Sequence, residues 1–309
     1  MEQKGKSVIN ILLFLFVINF SFAQEYFLLK ENTGKYQVKS YELNTIDLYG
    51  MNKSINIYNI LIEDLLNKSN PSKTLVLFSV LPDAYNNEDW EIITLDSIQN
   101  KIISIGKLRQ LSERSLYQRD DVQYGYKTKY WNEYKIIVER SGKYYSPKNC
   151  LLQFYLIQNR SNILNTPYNT INILQSPHTI ADIKKLYTNT SVNNSFPMDI
   201  PPNDKYFDRF RDRREFLSKK FSINQQTYYQ FWTFTDWGKT ISKVIKDPHK
   251  AFFTYERGID RFVYNPHNLI VGGSYDFYFY YYKNEFGIEP KVFQENILNE
   301  KIMIDINLK

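Results

Sequence analysis

"YNILIEDLLNKSNPSKTLVLFSVLP", residues 58–82, holds the two readings on which the fold turns. Tyr58, Leu61, Ile62, Leu65 and Leu66 recur at helical spacing and Pro71 follows a polar stop, so a helix is expected over 58–71. The run that follows, "TLVLFSVLP" from Thr74 to Pro82, is short, apolar, rich in β-formers and bounded by Lys73 and Pro82, which predicts a buried strand. A helix leading into a buried strand gives the expected fold class: α+β, a mixed or antiparallel sheet with packed helices and aromatic-rich C-terminal strands.

The neighbouring segments extend that reading. "IITLDSIQNKIISIGKL" (92–108) is read as a helix after Ser97, with Ile98, Ile102 and Ile105 on one face, although its β-branched content and Gly106 argue against one. "YKIIVERSGKYY" (134–145) is a hairpin around Ser141 and Gly142, and "CLLQFYLIQN" (150–159) supplies another strand-length apolar run. Ser176 before Pro177 marks a helix start, with Ile180, Ile183 and Tyr187 as its stripe. Residues 188–204 are polar and proline-rich, a long loop inside one domain or a subdivision point between two. The next stretch, "DKYFDRFRDRREFLSKKF" (204–221), reads as a helix with Tyr206, Phe207, Phe210, Leu217 and Phe221 inward. Arg211, Glu215 and Lys219, four apart, form its solvated face. "QTYYQFWTFTDWGKTISKVIKDP" (226–248) is a strand feeding a helix, and the chain closes with β segments separated by turns at Gly258, "NPHN" and Gly272–Gly273.

One of those closing segments, "GGSYDFYFYYYK" (272–283), places seven aromatic side chains in the eight positions from Tyr275 to Tyr282. As a strand it would turn Tyr275, Phe277, Phe279 and Tyr281 to one side and Asp276, Tyr278, Tyr280 and Tyr282 to the other. The side with both Phe residues belongs against the core. The side with three hydroxyls and a carboxylate is a candidate recognition surface, which Trp232 and Trp237 extend, because flat rings with polar tips stack on sugars or peptide side chains at little entropic cost. Ordinary aromatic strands account for the same residues without any ligand.

The N-terminus has its own pattern. Lys4 and Lys6 precede an apolar run from Val8 to Phe22 that ends in a small residue, Ala23. This is the order of a secretory signal peptide, so residues 1–24 are expected to be a signal, cut between Ala23 and Gln24, and 25–309 a single exported α+β domain, periplasmic or extracellular. Loss of Glu2, Lys4 and Lys6 lowers the formal net charge from +6 to +5. No later stretch is long and apolar enough for a membrane-spanning helix, and no transmembrane anchor is expected after cleavage. Cys150 is the only cysteine, which excludes an internal disulfide; between Asn149 and Leu151 it reads as a small buried hydrophobe. The basic residues are interleaved with acids, so no nucleic-acid partner is expected.

His178, His249 and His267 have no metal-ligand spacing among them, and no nucleophile elbow, phosphate loop or dinucleotide fingerprint is present. No metal and no cofactor is expected. Asp236, Glu256 and Asp260 are the candidate acid/base carboxylates, because they lie in the aromatic-rich C-terminal part where a carboxyl pKa can be raised. The expected function is therefore that of a non-catalytic binding protein of the cell envelope or exterior, with a glycan or envelope protein as partner, engaged through Tyr278, Tyr280, Tyr282, Trp232 and Trp237. The alternative is an exported hydrolase acting on a polysaccharide or peptide through those carboxylates.

Overall fold

The computed structural model describes residues 24–30, 34–63, 73–117, 129–159, 169–182, 215–233 and 258–308. In chain order the strands are β1 (Glu25–Leu28), β2 (Gln37–Asn44), β3 (Ser54–Glu63), β4 (Lys73–Leu81), β5 (Trp90–Ile93), β6 (Ile102–Ile103), β7 (Lys129–Trp131), β8 (Tyr134–Arg140), β9 (Lys143–Pro147), β10 (Asn149–Ile157), β11 (Thr170–Ile171), β12 (Glu215–Ile223), β13 (Gln226–Thr233), β14 (Arg261–Asn265), β15 (Leu269–Ser274) and β16 (Met303–Ile304). The α-helices are α1 (Ile46–Tyr49), α2 (Leu95–Ile98), α3 (Ile105–Tyr117), α4 (Asp276–Tyr281), α5 (Lys283–Phe286) and α6 (Pro290–Leu298).

The strands form three sheets. The first has the order β5-β9-β8-β1-β6, with β1 parallel to both of its neighbours. The second has the order β11-β10-β4-β3-β2, with β7 also on β10, and is antiparallel except at β10–β11. The third, β12-β13-β14-β15-β16, is antiparallel throughout.

Side-chain alternation makes the second sheet the middle layer of three. Tyr58, Ile60 and Ile62 of β3, Val76, Phe78 and Val80 of β4, and Leu152 and Phe154 of β10 pack with Phe27, Ile136 and Val138 of the first sheet and with Leu108 and Leu111 of α3. The intervening residues Ile55, Ile57, Leu61, Leu75, Leu77, Leu151 and Tyr155 pack with Phe231, Phe262, Ile270 and Phe279 on the side of the third sheet. Each fully buried aliphatic or aromatic side chain of this kind contributes roughly 1.5–3 kcal/mol. A strand buried on both faces is apolar at nearly every position.

That double burial corrects the expected helix over 58–71. Its first part is strand β3, paired with β2 and β4, while 64–72 lie outside the described residues. Tyr58, Leu61 and Ile62 fit a helical stripe only because apolar residues fill both faces of the strand, a case in which spacing does not separate helix from strand. Asn59 shows the strand geometry directly. It points towards the third sheet between Ile57 and Leu61, its Nδ2 donates to the Ile270 carbonyl at 2.9 Å, and its Oδ1 accepts the Ile270 N–H at 3.1 Å.

Other expectations meet the structure unevenly. The hairpin at Ser141–Gly142 is present between β8 and β9, with positive φ at both turn residues, 50° and 74°. The reading of 92–108 as a helix after Ser97 is replaced by α2, a short 3₁₀ turn, strand β6 and only then α3, which contains Gly106. The solvated helix over 204–221 is also corrected. From Glu215 onward the chain is strand β12, with Glu215 and Leu217 buried, and 204–214 lie outside the described residues. Gly272 and Gly273 form no turn but sit inside β15, where a Cβ would lie 2.2 Å from the Met303 carbonyl oxygen or 2.3 Å from Ile259. The fold is thus more sheet-rich than α+β with packed helices. Among the described residues no helix is long and apolar enough to cross a membrane.

Candidate functional site

The run from Asp276 to Tyr281 is helix α4, not the expected strand, and the reason is electrostatic. Arg261 on β14 holds Asp276 through an Nη2–Oδ2 contact of 2.6 Å, with both side chains buried. The Tyr49 hydroxyl donates to the other Asp276 oxygen at 3.1 Å and accepts the Tyr275 N–H at 3.0 Å. Asp260 accepts the Phe277 N–H at 3.0 Å. The Asp260 carboxylate favours helical over extended backbone here, since it meets an N–H group that the first turn of a helix leaves unpaired, and the Arg261–Asp276 pair anchors that turn to β14. The Arg261 guanidinium is completed by the Lys301 carbonyl, at 3.1 Å from Nε and 3.0 Å from Nη2.

The helix sorts the aromatic residues differently from strand parity. Tyr275, Phe277, Phe279 and Tyr278 are all buried, while Tyr280, Tyr281 and Tyr282 are half-buried. The Tyr275 hydroxyl donates to Ser79 Oγ at 2.6 Å, and that of Tyr278 donates to the Pro82 carbonyl. Burial above all, and then the nearby Tyr282, Asp83 and Asp89, hold the Tyr278 hydroxyl well above its ordinary pKa.

On the outer side of this helix stands Tyr85, 73% exposed. Its ring meets Tyr282 edge to face, at 5.9 Å and 90°, and Tyr282 meets Tyr281 at 5.0 Å and 82°. The turn that carries Tyr85 is fixed by Asp83, whose carboxylate accepts the Tyr85 N–H at 2.8 Å and Asn86 Nδ2 at 3.0 Å. Desolvation first, then the charges of Glu285 and Asp83 with Tyr281 between them, raise the pKa of the Tyr85 hydroxyl. The surface here is three tyrosines in a mildly negative field. Lys283 lies to one side with its Nζ 4.6 Å from the centre of the Tyr280 ring.

The expected site residues are therefore dispersed. Tyr282 belongs to the surface cluster, and Tyr280, packed edge to face on Phe293 at 5.4 Å, lies beside it. Tyr278 is part of the core. Trp232 is also buried, its indole N–H donating to the His178 carbonyl at 2.8 Å and its ring 5.2 Å from Phe216, so it extends no recognition surface. Asp260 is buried at 6% exposure and serves the start of α4. Trp237, Asp236 and Glu256 lie outside the described residues. Tyr281, which strand parity placed on the core side, is half-buried and joins the surface cluster because the segment is helical. Tyr85 was not marked by sequence: nothing in "LPDAYNNED" signals that it will meet a segment so far along the chain.

A second group of ionisable residues lies between the second and third sheets. Glu215, at the start of β12, is 2% exposed, and neither of its carboxylate oxygens has a hydrogen-bond partner. Burial pushes its pKa up to about 8 against the opposing effects of Lys129 and of backbone N–H groups around Asn169 and Thr170, which come near without completing a bond. The same carboxyl group is the largest charge acting on the buried hydroxyl of Tyr155, itself hydrogen-bonded by Gln153 Nε2 at 2.9 Å. Among the described residues no group of three or more His, Cys, Asp or Glu is placed to hold a metal ion. Compared with protein-family models, with curated proteins and with solved structures, the chain matches none.

Proposed function

We propose that this chain is an exported, non-catalytic binding protein that engages a glycan or an envelope protein through the tyrosine surface formed by Tyr85, Tyr281 and Tyr282. The observation that carries the reading is the edge-to-face contact of the exposed Tyr85 with the half-buried Tyr282, continued by the half-buried Tyr281. Rings set at right angles offer stacking faces with hydroxyl tips, and the turn that carries Tyr85 is already fixed by Asp83. Asp83 and Glu285 beside the rings disfavour an anionic ligand, so neutral or amino-bearing sugars fit better than uronic or sulfated ones. Export rests on the order of charged, apolar and small residues at the N-terminus. The hydrolase alternative has weaker support, because the described candidate carboxylate, Asp260, bonds the backbone of α4.

A glycan array and a pull-down from envelope extract, each with the parent protein and with Tyr85→Ala, test this. Loss of a specific ligand in the variant, with an unchanged melting temperature, is the expected result. Ligands retained equally by Tyr85→Ala and Tyr282→Ala would move the binding surface elsewhere.

A further inference from the structure

The buried carboxyl group of Glu215 does no work in that surface, and its setting is unusual. It faces the second sheet from the edge strand of the third, on the same side as Leu217, and its direct cross-strand partner is Thr233. Three polar atoms of this pair, both Glu215 oxygens and Thr233 Oγ1, are buried with no hydrogen-bond partner. Most buried polar groups are satisfied, so three orphans on two opposed residues mark a place where the closed packing opposes a full charge.

The backbone around them is held at both margins. Gln175 clamps the outer edge of β12, donating to the Glu215 carbonyl at 3.0 Å and accepting the Leu217 N–H at 3.2 Å. On the other side Gln153 accepts the Ile259 N–H at 2.9 Å, and Gly258, with φ of 79°, passes so near that a Cβ there would be 2.2 Å from Gln153 Nε2. The titratable and charged groups that act here, among the described residues, are Lys129 on β7, Tyr155 on β10, Tyr275 ahead of α4 and Asp260 ahead of β14, with His178 on the segment along the outer edge of β12 and Glu300, which accepts from Ser218 Oγ of β12 and from the Ile180 N–H.

We propose that Glu215 is a proton-operated latch between the second and third sheets: with its proton on, this end of the sandwich stays closed over the carboxyl group, and loss of the proton opens it. The sign follows from linkage. The carboxyl holds its proton up to about pH 8 when enclosed, against an ordinary value of 4.5. A raised acid pKa means that the closed state binds more protons, so closure is fully favoured below the ordinary value, weakens as pH rises, and reaches its floor above pH 8.

Hydrogen exchange of the backbone amides of β10 and of the first residues of β12, corrected for intrinsic rates, reads the opening. In the parent protein the opening constant should rise between pH 5 and 8, by up to about tenfold per pH unit, and level off above. Glu215→Gln keeps the shape and removes the proton, and its profile should be flat, while His178→Gln should keep the parent slope. Carbon-13 NMR of labelled glutamate should show one side-chain carboxyl still protonated at pH 7 and missing from Glu215→Gln. A slope in Glu215→Gln equal to that of the parent, or a Glu215 resonance fully ionised below pH 6, overturns the latch.

Discussion

At the scale of single residues the aromatic segment separates core from surface within a few positions. Phe279 is fully buried and its ring lies 4.2 Å from that of Tyr49, so Phe279→Ala removes a core ring and leaves a cavity, at a cost of about 3–5 kcal/mol in chemical denaturation. Tyr85→Ala, at an exposed ring, should shift stability by about 0.5 kcal/mol or less. Equal losses in the two variants would place Tyr85 in the core. Cys150 offers a second check. It is fully buried between β4 and β8, and burial foremost pushes its thiol pKa up to about 12. A thiol reagent at pH 8 should label the native protein slowly and the denatured protein at once; fast stoichiometric labelling of the native protein contradicts its enclosure.

At the scale of elements, α4 exists because one buried ion pair and one capping carboxylate draw the chain into a helix where its composition would equally suit a strand. Asp276→Asn leaves the Arg261 guanidinium buried without its anion, and such a half-broken pair typically costs about 3–5 kcal/mol. The loss should be visible in thermal melts and accompanied by faster exchange of the α4 amides, because the helix loses its anchor to β14. If Asp276→Asn melts with the parent, the electrostatic account of this helix is wrong. Double replacement of Arg261 and Asp276 by apolar residues of similar volume should recover part of the loss, since it removes the stranded charge.

At the scale of the whole molecule, three stacked sheets leave the inner strands β4 and β10 of the middle one without a solvent face, and the ties of that sheet to the third are polar as well as apolar. Asn59 with Ile270, Ser79 with Tyr275, and Gln153 with Ile259 cross that interface at fixed points along the strands. Such bonds set the register of one sheet on the next, because sliding by one residue would leave each of these groups buried and unpaired. Strand β1 begins at Glu25, so cleavage near Ala23 leaves every described strand whole. Mass spectrometry of protein from the native host should find an N-terminus at Gln24 or Glu25, and an intact Met1 would end the argument from compartment.

Local chemistry in the sequence determined the hairpin at Ser141–Gly142, the buried strands at 74–81 and 150–157, the turn at Asn265–Asn268 and the enclosure of Cys150, because turn residues and short β-branched apolar runs carry their meaning within a few positions. The candidate site was legible only in part: the segment around Tyr280–Tyr282 was found, but Tyr85, its neighbour in space, was not. Tertiary structure alone decided the rest. A strand buried on both faces has no period to read, so β3 resembled a helix until its two flanking sheets were known. The aromatic run is equally without contrast, and only Arg261, Asp260 and Tyr49, distant or on another strand, bend it into α4. Glu215 stands four residues from both Arg211 and Lys219, a pattern that reads as a solvated helix face. Its enclosure beside Tyr155 comes from a sheet partner, and sequence spacing carries no trace of what a neighbouring sheet will cover.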